Sequence, residues 1–212
     1  MSKDIDKILI LLKKEYPQAK IALNFTNPLE ILVSTILSAQ CTDARVNLVT
    51  KTLFKKYRTV EDYAKANIKT FEQEIHSTGF YHNKAKNIIA TAQKILKDFK
   101  GKVPDSMDKL IQLPGVARKT ANIVLLNGFR KVEGIAVDTH VRRLSQRLSL
   151  SKNDDPNKIE QDLMKLLDRK EWGNFSHLLI EHGRKICIAK KPKCLKCILQ
   201  NLCPSKEIFY PK

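Results

Sequence analysis

Asp105-Ser106-Met107-Asp108-Lys109-Leu110-Ile111-Gln112-Leu113-Pro114-Gly115-Val116-Ala117-Arg118-Lys119-Thr120-Ala121-Asn122-Ile123-Val124-Leu125-Leu126-Asn127-Gly128 reads as two helices joined by a tight turn. Asp105 stands where a cap belongs and Leu110 and Ile111 turn inward; Pro114 and Gly115 then break the helix. Helical spacing resumes from Ala117 to Asn127, and Gly128 supplies a stop. So short a connection leaves the first backbone N–H groups of the second helix without partners, and such groups can hold a phosphate without reading any base. A plain pair of packed helices gives the same pattern. The stretch alone leaves both readings open.

Helical punctuation continues on either side. Ile5, Ile8, Leu9 and Leu12 fall at helical spacing ahead of Pro17. Asn27-Pro28-Leu29-Glu30 supplies an N-cap, a proline at the first helical position and a carboxylate at the third, predicting a helix through about Ser38. Its run from Leu29 to Leu37 is apolar nearly all round, which predicts burial. Thr42 or Asp43 opens a helix with Val46, Val49, Leu53 and Phe54 in one stripe, and Thr59-Val60-Glu61-Asp62 opens another. Lys84 to Phe99 repeats the pattern. Beyond the hairpin, Asp155-Pro156 starts a helix with Ile159, Leu163, Leu166 and Leu167 on one face, and a last long helix from about Asn174 ends near Gly183. No alternating strand and no repeat interrupts this, so the expected fold is all-α.

Charge narrows the partners. Lys and Arg outnumber Asp and Glu by 39 to 22 in 212 residues, and the net charge of +17 favours a polyanion, nucleic acid first. An anionic membrane surface attracts the same charge, but no apolar run approaches the ~20 residues needed to span a bilayer. Solubility alone also accounts for lysine-rich surfaces. Near the N-terminus the apolar run Ile8 to Leu12 is short and follows acidic Asp4 and Asp6, so no secretory signal is read and a cytoplasmic location is expected.

Four cysteines then stand as Cys187-x6-Cys194-x2-Cys197-x5-Cys203. Two disulfides fit a cytoplasmic chain poorly. Zinc sites more often show two short pairs around a longer insert. Four thiolates also suit a four-iron cluster, although a bacterial ferredoxin has a tighter run, and only Cys203-Pro204 matches its ending. Spacing favours the cluster and leaves zinc open. Cys41, far from the others, reads as a buried small hydrophobe.

Two further residues carry chemistry. Lys119 sits in the first turn of the second hairpin helix, where the positive end of the helix dipole disfavours an ammonium and only a neutral amine attacks carbon. Asp138, in Val137-Asp138-Thr139-His140 after a Gly-containing loop, reads first as a helix cap.

Together these segments resemble the endonuclease III family of DNA glycosylases, over about Asn27 to Cys203. The likeness is carried by Leu37-Ser38-Ala39-Gln40-Cys41-Thr42-Asp43, Gly79-Phe80-Tyr81-His82-Asn83-Lys84-Ala85, Leu113 to Ala121, Val137 to His140 and the four cysteines, in that order. It implies two all-α lobes with a DNA cleft between them: a six-helix domain at 22–132 with the helix-hairpin-helix, and a discontinuous iron–sulfur domain of 1–21 and 133–212. It implies a [4Fe–4S] cluster on Cys187, Cys194, Cys197 and Cys203. It further implies a monomeric glycosylase and abasic-site lyase of base excision repair, acting on double-stranded DNA with damaged bases or abasic sites, nucleoid-associated and with no membrane. Lys119 would be the nucleophile that forms a Schiff base after expelling an oxidised pyrimidine, and Asp138 its acidic partner. β-Elimination would then cut the strand 3′ to the lesion. By the same resemblance Gln40 and Phe80 fill the gap left by a flipped nucleotide, and Gly115 and Ala117 contact phosphate. His140 touches the lesion and Lys191, with Lys190 and Lys193, reaches the backbone.

One departure is visible. The family hairpin commonly carries a second glycine where Ala117 stands, and alanine would cost on the order of 1 kcal/mol there only if φ were positive. The expectation is that Ala117 already begins the helix. Two rivals stay on the page, a monofunctional adenine glycosylase and a catalytically silent DNA-binding iron–sulfur protein. The former needs a glutamate and an extra C-terminal domain; Ser34, Thr35 and Ile36 supply no carboxylate in the turn before Gln40.

Overall fold

In the computed structural model, which describes residues 2–210, the helices run in chain order as α1 (Ser2–Glu15), α2 (Pro28–Leu37), α3 (Asp43–Lys56), α4 (Val60–Ala64), α5 (Ile68–Ile75), α6 (Tyr81–Phe99), α7 (Met107–Leu110), α8 (Arg118–Phe129), α9 (Thr139–Arg147), α10 (Pro156–Leu166), α11 (Trp172–Lys185) and α12 (Lys206–Phe209). No strand occurs among the described residues, and the fold is all-α. No helix among them is long and apolar enough to cross a membrane. Two compact units emerge, one continuous (Ala22–Glu133) and one built from Met1–Ile21 with Gly134–Lys212.

Helix starts follow the capping chemistry. Asn27 accepts from the Glu30 amide at 3.0 Å while the Glu30 carboxylate takes the Thr26 amide, so α2 opens with its first donors satisfied. Thr59 and Asp62 form a complete capping box at α4, and Thr42 and Asp155 cap α3 and α10. Asp105 does not cap the hairpin's first helix. It pairs with Lys131 at 2.6 Å, and α7 begins two residues later behind Ser106.

In the continuous unit α2 is the centre: Ile31 to Leu37 are all buried, and α2 packs on α8 and α6 while α4 and α5 pack on α6. Thr35 fits an apolar setting because its hydroxyl donates to the Ile31 carbonyl at 2.7 Å. Each such buried aliphatic stabilises by about 1.5–3 kcal/mol. Gly128 was expected to end α8; it lies inside the helix, where a Cβ would come within 3.2 Å of the Pro28 Cα. Its role is close helix contact. The stop comes at Arg130, left-handed at φ 56°.

In the discontinuous unit Ile5, Ile8, Leu9 and Leu12 of α1 share a core with Val141 and Leu144 of α9, Ile159 and Leu163 of α10, and Phe175, Leu178 and Leu179 of α11. α11 ends close to Gly183, at Lys185, and the glycine itself serves helix contact, since a Cβ there would meet His140 Nδ1 at 2.9 Å. Both glycines are contact points between helices.

Candidate nucleic-acid interface and metal centre

Hairpin geometry comes first. Gly115 adopts φ 74°, and a Cβ on it would sit 2.8 Å from Asn87 Nδ2 and 3.0 Å from Asn87 Cβ, so both backbone and space require glycine. Ala117 has φ −85° and ψ 170° and is the N-cap of α8, which removes the cost raised by the missing second glycine. Alanine brings no side-chain acceptor, so this 12-residue helix opens without a hydrogen bond from its N-cap side chain. Lys119, the second residue of α8, is exposed. The protein alone does not bury this amine.

Two more expected contacts stand on strained turns of the same unit. Gln40 is exposed with φ 52°, and Phe80 is 62% exposed with φ 47° directly after Gly79 at φ 70°. Left-handed backbone costs a non-glycine residue roughly 1–2 kcal/mol. An exposed phenylalanine recovers none of that by burial. Cys41, next to Gln40, is half-buried rather than buried, because the turn carries it off the end of α2.

Asp138 belongs to the other unit, where it does cap α9: its Oδ1 accepts from the His140 and Val141 amides, both at 2.8 Å. Oδ2 makes no hydrogen bond among the described residues. His140 lies two residues on, half-buried, and burial lowers its pKa, opposed by Asp138 and reinforced by Arg143 and Arg184. Arg143 donates to His140 Nδ1 at 3.1 Å, which fixes the neutral ring with its proton on Nε2.

The four cysteines line one small cavity in this unit, with Leu144, Leu148, Ile186 and Leu199 among its apolar walls. None is in a disulfide. Among the described residues no three His, Cys, Asp or Glu side chains are placed to hold a single ion. Burial pushes the Cys197 thiol up to about 11 and raises those of Cys194 and Cys203. Thiolates in so dry a setting need a cationic centre among them. Polar partners are already aimed at the sulfurs. Arg147 Nη1 donates to Cys187 Sγ at 3.3 Å, and the Leu199 amide to Cys197 Sγ at 3.4 Å. His182 Nε2 lies 3.3 Å from Cys197 Sγ, and its Nδ1 is 2.9 Å from the Tyr16 hydroxyl. With Cys197 as a thiolate, which can only accept, the ring would carry its proton on Nε2 and donate it to sulfur, and Nδ1 would then accept from the Tyr16 hydroxyl.

Sequence reasoning missed the residues that hold this loop. Arg143 donates to the Cys187 and Gly183 carbonyls, and Arg147 to the Ile188 and Ala189 carbonyls. Lys190, Lys191 and Lys193 stand exposed on the segment so clamped. The signal was present as two arginines four apart on α9, a spacing that puts both on one helix face. Nothing local ties them to cysteines forty residues away.

Comparison with known proteins decides the family. Residues 33–169 match the model of the HhH-GPD superfamily base excision DNA repair proteins. The chain belongs to this family. Among HhH-GPD proteins, endonuclease III of Synechocystis sp. is 53% identical over 201 residues, which cover 95% of this chain and 92% of that protein. Two solved structures superpose with TM-scores of 0.94 at 42% identity: a non-covalent endonuclease III–DNA complex, with 98% of this chain and 97% of that one covered, and a trapped endonuclease III–DNA covalent intermediate with an estranged adenine, with 98% of each covered. Membership makes this chain an enzyme, a DNA glycosylase of base excision repair.

Proposed function

We propose that the enzyme is bifunctional: it expels an oxidised pyrimidine from double-stranded DNA and then nicks the strand at the resulting sugar, with Lys119 as nucleophile. The observation that carries this reading is the amine's setting. Lys119 is exposed one turn past a left-handed Gly115, on a helix that opens without a hydrogen bond from its N-cap side chain. A phosphate accepting from amides at that helix start would hold the lesion strand against the amine, and the DNA itself would exclude water from it.

The target nucleotide leaves the stack, since C1′ is out of reach inside a duplex. Neutral Lys119 Nζ bonds to C1′ while the C1′–N bond breaks and the base departs with its electron pair and a proton. Loss of the second amine proton and opening of the ring at O4′ give the Schiff base. Removal of a C2′ proton then expels the 3′-phosphate. Asp138 would stabilise positive character at the sugar and relay the proton through the oxygen that α9 leaves unused. A carboxylate beside a lysine favours the ammonium, so its part is charge stabilisation at the sugar and not activation of the amine.

Gln40 and Phe80 would fill the vacated space, the amide pairing with the orphaned base and the ring replacing lost stacking. His140 would touch the lesion, and Lys191 with its neighbours would meet phosphates. Cys187, Cys194, Cys197 and Cys203 fit a [4Fe–4S] cluster: four thiols line one apolar cavity, and four thiolates are the donor set such a cluster takes. Bound there, the cluster supplies the positive centre that keeps the thiolates ionised and fastens the basic loop. The chain's two units would then be the hairpin domain and the cluster domain.

Borohydride in the presence of abasic-site DNA tests the reading. Wild-type protein should become covalently joined to the oligonucleotide, Lys119→Ala should not, and Asp138→Asn should excise bases on the order of 10²-fold more slowly at unchanged affinity. A protein that binds the duplex and is never trapped would be a silent DNA-binding protein.

A further inference from the structure

Lys84 is 4% exposed, among the most buried lysine positions a chain can carry, and the reaction outlined above leaves it without a task. Its ammonium donates to the Leu37 carbonyl at 2.7 Å and to the Thr78 carbonyl at 2.8 Å. Its own amide donates to the Phe80 carbonyl at 3.1 Å. Burial lowers its pKa, partly opposed by nearby Cys41. Placing a charge there costs stability unless the carbonyls return it, and both accept at short, charge-assisted distances.

The identity of those carbonyls is what matters. Leu37 is the last residue of α2, three before Gln40; Thr78 ends the short 3₁₀ turn His76–Thr78, two before Phe80. One buried cation therefore joins the bases of two left-handed turns, those of Gln40 and Phe80, that lie far apart in the sequence. Strained, exposed conformations persist only where the surroundings over-determine them, and here the over-determination is shared between both turns. The ammonium also sits at the negative end of α2's dipole, which favours it further.

We infer that Lys84 is a positioning residue that sets the spacing between the Gln40 turn and the Phe80 turn, so that amide and ring enter the duplex as one wedge. This inference rests on the reading of Gln40 and Phe80 given above. A fixed spacing makes displacement of the stacked nucleotide one concerted step, because neither side chain then searches for the gap alone. Lys84 touches no DNA in this scheme.

The test uses the full-length, metal-replete protein and a duplex carrying 2-aminopurine beside an oxidised pyrimidine, whose fluorescence rises when the stack opens. Lys84→Met keeps the bulk and removes the donors, and a thermal melt shows whether the chain has folded. The folded variant should open the stack on the order of 10²-fold more slowly, as displacement by about 1 Å can do. Its borohydride trapping on a single-stranded abasic oligonucleotide, where no stack is broken, should stay within about threefold of wild type. Should the methionine chain fail to fold, Lys84→Gln, with two N–H donors on a shorter stem, should show the same split at smaller size. A double-mutant cycle against Gln40→Ala/Phe80→Ala supplies the decision: with the wedge already removed, Lys84→Met should cost less than about twofold more. Full additivity in that cycle, or equal loss on both DNAs, overturns the inference. If Gln40→Ala/Phe80→Ala itself leaves stack opening at wild-type speed, the wedge reading fails first and separately.

Discussion

Residues 22–133 close their core from one uninterrupted length of chain, whereas the other unit needs α1 from the start of the sequence and α9 to α11 from its second half. The continuous unit holds its candidate contacts outward on backbone bent into left-handed turns at Gln40, Phe80 and Gly115, over a dense layer of aliphatic side chains in α2. The discontinuous unit turns its chemistry inward, around a cavity walled by sulfur and leucine. One region carries strain at its surface because its interior is complete. The other gathers its four thiols around one apolar cavity.

Metal removal separates the two most sharply. On the cluster reading proposed above, chelation, or Cys197→Ala, should destabilise the discontinuous unit, because binding free energy at such a site is folding free energy. Hydrogen exchange read peptide by peptide should show α1, α9 and α11 losing protection while α2, α6 and α8 keep theirs; uniform loss would mean that the two cores melt as one. Gly115→Ala acts the other way. Its Cβ meets Asn87 on a left-handed backbone, so urea unfolding should report a loss of about 1–2 kcal/mol confined to the continuous unit. DNA affinity should fall with it, since the amides of the hairpin shift. Smallest are the caps. Thr59→Ala in one unit and Asp155→Ala in the other each remove a side-chain acceptor at a helix start and should each cost about 1 kcal/mol, measured as a shift in urea midpoint. A cap costing nothing in the metal-replete discontinuous unit would mean that the cofactor, and not local helix stability, limits its unfolding.

What the sequence disclosed follows from the range of the forces involved. Caps act over three residues, so Asn27, Thr42, Thr59 and Asp155 announced their helices, and the apolar run of α2 announced its burial. Cysteine spacing and the Gly115 turn are equally local. Gly128 was misread because its reason lies on another helix, against Pro28. Asp105 was misread because Lys131 competes for its carboxylate from 26 residues away. The grip of Arg143 and Arg147 on the cysteine loop, and of Tyr16 and His182 on Cys197, joins segments no local pattern links.

The split of the second core across the chain also imposes a timetable on biosynthesis. On a ribosome adding roughly 5–20 residues per second, α1 emerges first and must wait on the order of ten seconds for α9, α10 and α11 to exist. During that wait the continuous unit has all its residues and can fold. Ile5, Ile8, Leu9 and Leu12 meanwhile remain a greasy stripe in search of a partner, a natural stopping place for a chaperone.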